Sequence, residues 1–313
     1  MAFLEHTQTD PWQYALGSLR DDRQTVLVFV VDHSGSVPGV TGTRVVVSES
    51  GFAGTIGGGA AEKQLVERAA AEHRGAEIFR FRHTPSAGGT LCSGVQDFAI
   101  ISLSQNDLEP IQSIVDTLKN HRTGTLRLSP KGVAFEPGET SPHAFTGETE
   151  TWTYSGPLGL EDTLYIIGGG HVGLALSRVM ATLPFRIIVL DNREDLPTMA
   201  ANHHAHEQHV VDFDRIGDHV VGGDRSWVVI MTFGHVPDRT VLEGLLGNDL
   251  AYLGLMGSEA KVRQMYAAMT TDGIDAKDLE GVQAPVGVSI GSHTPEEIAI
   301  SIAAEIIALR NGR

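Results

Sequence analysis

Leu164-Tyr165-Ile166-Ile167-Gly168-Gly169-Gly170-His171-Val172-Gly173 decides the fold. An apolar run of strand length flows into glycines at the G-x-G-x-x-G spacing, and the amphipathic run that follows has helical character. Phe185-Arg186-Ile187-Ile188-Val189-Leu190 is then a second apolar run, and it ends on Asp191, about 20 residues after the glycines. Strand, glycine turn, helix, strand and acid in this order predict the first half of a dinucleotide-binding unit. Gly168 serves the tight turn, Gly170 the close approach of a pyrophosphate and Gly173 helix–strand packing, while free N–H groups at the helix start favour an anion. Asp191 is placed to accept from a ribose diol, as in NAD binding; Arg193, two residues on, leaves room for a 2′-phosphate. The same pattern also suits a crevice that holds another nucleotide or none.

Beyond Asp191 the alternation continues. Trp227-Val228-Val229-Ile230-Met231-Thr232 and Ala251-Tyr252-Leu253-Gly254-Leu255-Met256 read as buried strands, each followed by a helix. A doubly wound parallel sheet gathers the loops after its strands along one edge, so Gly168 to Gly173, Asp191, His235 and Ser258 are expected around one crevice, with Lys261 in the first turn of the helix that Ser258 opens. His235 and Asp238 are harder to explain as packing; in a dehydrogenase, His235 is the general acid or base and Asp238 orients it. The His203 to His209 run, with four histidines, admits a metal, but solvated loop histidines are the simpler account. Thr294-Pro295-Glu296-Glu297 is a capping box that opens the last helix.

The first half carries a second strand–glycine–helix junction. Thr25 to Val31 is an unbroken apolar strand, Asp32 to Gly39 a turn cluster, and Thr43 to Ser48 a further strand. Phe52 to Thr55 then leads through Gly57-Gly58-Gly59 into a helical run from Ala60 to Ala70. Consecutive glycines let successive N–H groups converge on an anion, and they equally let a helix pack closely on a sheet. Cys92, the only cysteine, stands in or beside a turn flanked by Gly89, Ser93 and Gly94. A small buried hydrophobe and a thiolate favoured by nearby N–H groups both fit it.

Residues 129–161 are rich in Pro, Gly, Thr, Ser and Glu and read as a linker, although Trp152 and Tyr154 point to some packing. The expected organisation is a first domain over 1–128, the linker, and a Rossmann-like domain over 162–313. A chain of 313 residues suits two domains, and its apolar content of 41% is ordinary for globular proteins. A net charge of −16 repels phosphate backbones and argues against nucleic acid as a partner. With no signal-peptide pattern and no run long enough to span a bilayer, a cytoplasmic protein without a membrane partner is expected. One cysteine builds neither an internal disulfide nor a Cys-rich zinc site.

Six ordered stretches resemble the XdhC/CoxI family, the xanthine dehydrogenase accessory factors. They are Gly35-Ser36-Val37-Pro38, Gly54-Thr55-Ile56-Gly57-Gly58-Gly59 with Glu62, the Gly168 to Gly173 turn, Met231-Thr232-Phe233-Gly234-His235 with Asp238, Tyr252 to Ser258 with Lys261, and Thr294 to Ala299. The resemblance implies an N-terminal α/β domain with a mixed sheet and a C-terminal Rossmann-like domain. It also implies a carrier that binds molybdenum cofactor of the molybdopterin type, protects it during sulfuration and passes it to a xanthine dehydrogenase-type apo-enzyme. The sulfur donor would be of the cysteine desulfurase type, and a homodimer is expected. On this picture Gly57, Gly58 and Gly59 hold a pterin phosphate and Cys92 meets molybdenum as a soft thiolate. Two departures stand out: the family often has Arg where this chain has Gly39, and C-G-G where it has Cys92-Ser93-Gly94. Arg44 is the candidate for the displaced positive charge. The competing reading is an NAD(P)-dependent oxidoreductase that uses the Rossmann crevice.

Overall fold

Asp10 and Pro11 start the first helix: the Asp10 carboxylate accepts from the N–H groups of Trp12 and Gln13, and proline at the first turn has no donor to waste. The computed structural model describes residues 6–7, 9–71, 75–83, 93–148, 151–159 and 162–312, and the chain divides into two units, Met1–Gly159 and Leu160–Arg313.

In the first unit, β1 (His6–Thr7) and α1 (Pro11–Arg20) precede β2 (Thr25–Ser34), β3 (Arg44–Ser48), β4 (Gly51–Thr55), α2 (Gly59–Ala70), β5 (Ala76–Arg82), β6 (Val95–Leu103) and α3 (Leu108–Lys119). The sheet runs β1-β4-β3-β2-β6-β5, with β1 parallel to β4 and the other pairs antiparallel, the mixed sheet that the family resemblance implied. β2 is apolar through its buried length because both of its faces are covered. Val26, Val28 and Val30 pack with Leu65 and Val66 of α2, while Leu27, Phe29 and Val31 pack with α1 and α3.

The stretch expected to be a linker is a second sheet. β7 (Gly124–Ser129), β8 (Gly132–Pro137), β9 (Ala144–Glu148) and β10 (Thr151–Leu158) pair antiparallel in the order β8-β7-β10-β9. Along β10 every second residue is buried, and Trp152, Tyr154 and Leu158 join the core beneath β2. The rings of Tyr154 and Phe29 lie 4.9 Å apart. The linker over 129–161 and the domain end at 128 are therefore corrected: the first unit runs through these strands to Gly159.

The second unit alternates strand and helix: β11 (Asp162–Ile167), α4 (His171–Met180), β12 (Phe185–Asp191), α5 (Pro197–Ala200), β13 (Glu207–Val210), β14 (Gly223–Ile230), α6 (His235–Leu245), β15 (Leu250–Leu255), α7 (Glu259–Thr271), α8 (Ala276–Glu280) and α9 (Pro295–Asn311). All five strands are parallel in the order β13-β12-β11-β14-β15, so the order reverses at β11. Leu176 of α4 and Ile302 and Ile306 of α9 cover one face; Val241 and Leu245 of α6 and Met265 of α7 cover the other. This is the doubly wound sheet expected from the alternation of apolar runs. Thr294 and Glu297 close the expected capping box at the start of α9. In the histidine run, His206 brackets Ile187 through its backbone N–H and Nδ1, His209 lies beside Glu207, and no group of three or more His, Cys, Asp or Glu side chains placed to hold a metal occurs among the described residues. Nor does any described helix have the length and apolarity to cross a membrane.

Candidate functional site

Three glycine-bearing loops of the first unit meet at backbone contact. A Cβ on Gly39 would lie 2.1 Å from the Ile56 carbonyl oxygen, and one on Gly57 would lie 2.5 Å from the Pro38 carbonyl carbon. A Cβ on Gly94 would lie 2.4 Å from the Ser34 oxygen and from Val37 Cγ1, and one on Gly35 would lie 3.1 Å from Gly94 Cα. The loop after β2, the loop after β4 and the residues just before β6 therefore form one body. The departure at Gly39 has a physical reason here: the backbone of Ile56 occupies the space a side chain would need. Gln96, fully buried, ties the assembly together. Its Nε2 donates to the Gly39 carbonyl at 2.6 Å, its Oε1 accepts from His83 Nε2 at 2.6 Å, and the His83 N–H donates to the Gly94 carbonyl.

The Gly57–Gly59 turn already contains a carboxylate. Glu62 Oε2 accepts from the Ile56 N–H at 2.8 Å, the Gly58 N–H at 3.1 Å and the Thr55 hydroxyl at 2.5 Å. Gly57, Gly58 and Gly59 all take positive φ, of 115°, 74° and 73°, so this path belongs to glycine. A Cβ at Gly58 or Gly59 would meet nothing within 4 Å, and the N–H groups of Gly59 and Ala60 have no partner among the described residues. The backbone at the start of α2 is thus left uncovered on this side, with the Glu62 carboxylate on the other. Arg44 is not part of it. Its guanidinium lies 5.3 Å from the Trp12 ring centre and donates to the Gly42 carbonyl; burial lowers its pKa, against the opposing charges of Asp10 and Tyr154. Cys92 lies outside the described residues.

In the second unit the three fingerprint glycines have separate reasons. Gly168, at φ 121°, passes so close to the end of β14 that a Cβ would sit 2.2 Å from the Met231 oxygen; Gly173 passes equally close to the Gly168 oxygen. A Cβ at Gly170 would meet nothing within 4 Å, so its backbone lies open at the start of α4. Asp191 closes β12 with a fully buried carboxylate that accepts from the Gly169 N–H at 2.7 Å and the Arg193 N–H at 3.0 Å. It also accepts from Arg193 Nε at 2.8 Å and Nη2 at 2.7 Å. Burial raises its pKa, but these bonds outweigh it and hold the carboxyl below its ordinary range.

His235 opens α6 and is exposed, whereas Asp238 turns back on the preceding strand end, accepting from the Thr232 N–H at 3.0 Å and hydroxyl at 2.6 Å. Burial raises the Asp238 pKa, against the bonds from Thr232 and the charges of His235 and Lys261. No hydrogen bond joins Asp238 to His235 among the described residues. Ser258 caps α7 by accepting from the Lys261 N–H at 3.3 Å, a structural role.

The glycines were thus legible, and so was the position of Asp191. Reading by pattern assigns no role to His83, Gln96 or Phe233, and it includes Glu62 only as part of a motif. The available signal was a glutamine and an aspartate, Gln96-Asp97, entering an otherwise apolar strand.

A family model described as the XdhC and CoxI family matches residues 18–82, and one described as the XdhC Rossmann domain matches residues 164–306. The uncharacterized protein YqeB of Escherichia coli (strain K12) is 26% identical over 288 residues, which cover 90% of this chain and 43% of YqeB. A Bacillus subtilis (strain 168) protein described as a probable xanthine dehydrogenase component is 26% identical over 147 residues, 47% of this chain and 42% of that protein. The chain thus spans less than half the length of either curated relative. A crystal structure of a protein described as a xanthine dehydrogenase from Bacillus halodurans superposes with a TM-score of 0.72 over 97% of both chains, at 22% identity, and shares the fold. With one model of this family on each structural unit, and the glycine motifs of each unit meeting within it as described, the chain belongs to the XdhC/CoxI family.

Proposed function

We propose that this protein is an accessory factor that holds molybdenum cofactor and delivers it to a xanthine dehydrogenase-type apo-enzyme. The observation that carries the reading is the cradle at Gly57–Gly59: an open backbone start to α2, fixed from behind by Glu62 and from the side by Gly39. The main-chain N–H groups of Gly59 and Ala60 hold the phosphate of the pterin, and Cys92 offers the soft ligand for molybdenum. When bound, the cofactor supplies a molybdenum centre that can accept a terminal sulfur; the protein binds, orients and shields it. A cysteine desulfurase-type partner donates the sulfur, and the carrier works as a homodimer.

The Rossmann crevice takes a nucleotide that is bound rather than turned over. Open space above Gly170 supports the binding, while Asp238 is engaged by Thr232 and makes no hydrogen bond to His235 among the described residues. The test is purification from cells able to make molybdenum cofactor, followed by assay of bound molybdenum and pterin. Retained cofactor without turnover is the expected outcome; absence of pterin together with oxidation of an added substrate by NAD or NADP would establish the oxidoreductase instead. Cofactor retention that is undiminished in Cys92→Ala would remove the thiol from the site.

A further inference from the structure

The acid that ends β12 is the residue that would receive a ribose diol, yet its acceptor positions are filled. A carboxylate offers about four lone-pair positions, and Asp191 receives the Gly169 N–H, the Arg193 N–H, Arg193 Nε and Arg193 Nη2 while fully buried. What the crevice presents at this point is the other side of the pair. The Arg193 guanidinium, partly exposed, lies 4.8 Å from the centre of the Phe233 ring, and Phe233 is 59% exposed on the loop after β14. Nη1 takes no part in the contact with Asp191. Glu194 and Asp195, next along the loop, form no ion pair with Arg193 among the described residues.

We propose that Arg193, oriented by Asp191 and stacked on Phe233, reads the sugar end of the nucleotide, so that the crevice takes one bearing a phosphate on its ribose. The inference rests on the reading that the crevice holds a nucleotide. Two bonds to Asp191 fix the guanidinium plane, which leaves Nη1 and the outer hydrogen of Nη2 directed away from the carboxylate for a phosphate. An unphosphorylated ribose gains nothing comparable, because its natural acceptor is covered.

Calorimetric titration of the full chain with NADP+ and with NAD+ tests this, alongside Arg193→Ala and Arg193→Gln, each checked by thermal melting. The expected result is tighter binding of NADP+ by about tenfold or more, the scale of one charged bidentate contact. In the variants the preference falls by at least that factor, because Asp191 is uncovered, accepts from the diol and repels the phosphate. Equal or tighter binding of NAD+ by the parent chain, or an unchanged preference in folded variants, overturns the role of Arg193 and leaves the nucleotide reading in place. Binding of neither overturns both. If Arg193→Ala does not fold, Arg193→Gln carries the comparison.

Discussion

Carboxylates turned inward are the recurring device of this molecule at the scale of single residues. Asp191, Glu62 and Asp238 each accept backbone N–H groups from a loop at a strand end. None of these closures was legible in the sequence, since each depends on where a side chain turns in the fold; the glycine spacing, a property of the backbone, was legible. Asp191 carries a prediction with a definite sign. Its folded pKa lies below the unfolded value of about 3.9, so the unfolded chain binds more protons between the two and stability rises with pH there. Asp191→Asn is expected to lose about 1–3 kcal/mol near neutral pH, and the gap should close as pH falls through the carboxylate range and below. Urea midpoints of both proteins at stepped pH measure it; a gap that stays constant down to the acid limit of folding would refute the assignment.

Among the elements, β11, β12, β14 and β15 could be read because strands covered on both faces need continuous apolar runs. β7 to β10 could not. They form an antiparallel sheet whose turns need glycine and whose outer face is polar, so composition mimics a linker. The informative pattern was the alternation Trp152, Tyr154, Leu158, which buries one side of β10. Trp152→Ala separates the two readings. In a core strand it costs about 3–5 kcal/mol, measured as a shift in urea unfolding, whereas in a linker it would leave the midpoint nearly unchanged.

On the scale of the whole molecule, the two units have separate cores: residues from Trp12 to Leu158 fill one set of apolar clusters, and residues from Leu164 to Ile306 the other. A fragment of residues 160–313 is therefore expected to fold alone, with a cooperative thermal transition and far-ultraviolet dichroism of an α/β protein; a fragment without such a transition would show that the second core depends on the first. The whole-molecule order of motifs was legible, because each glycine turn sits between elements of strong pattern. The meeting of the first unit's loops was not, since Gly39, Ile56 and Gly94 are brought together by the pairing of β2 with β3 and β6 and of β3 with β4. For the carrier proposed above, Glu62 has a final consequence. Three successive glycines are the most costly residues to order, and here Gly58 is held by the Glu62 carboxylate and Gly57 by the Thr55 hydroxyl, which is itself bonded to Glu62. That entropy is lost once, during folding, and not again at each docking of cargo. On that proposal the empty carrier keeps its receiving shape between one cargo and the next.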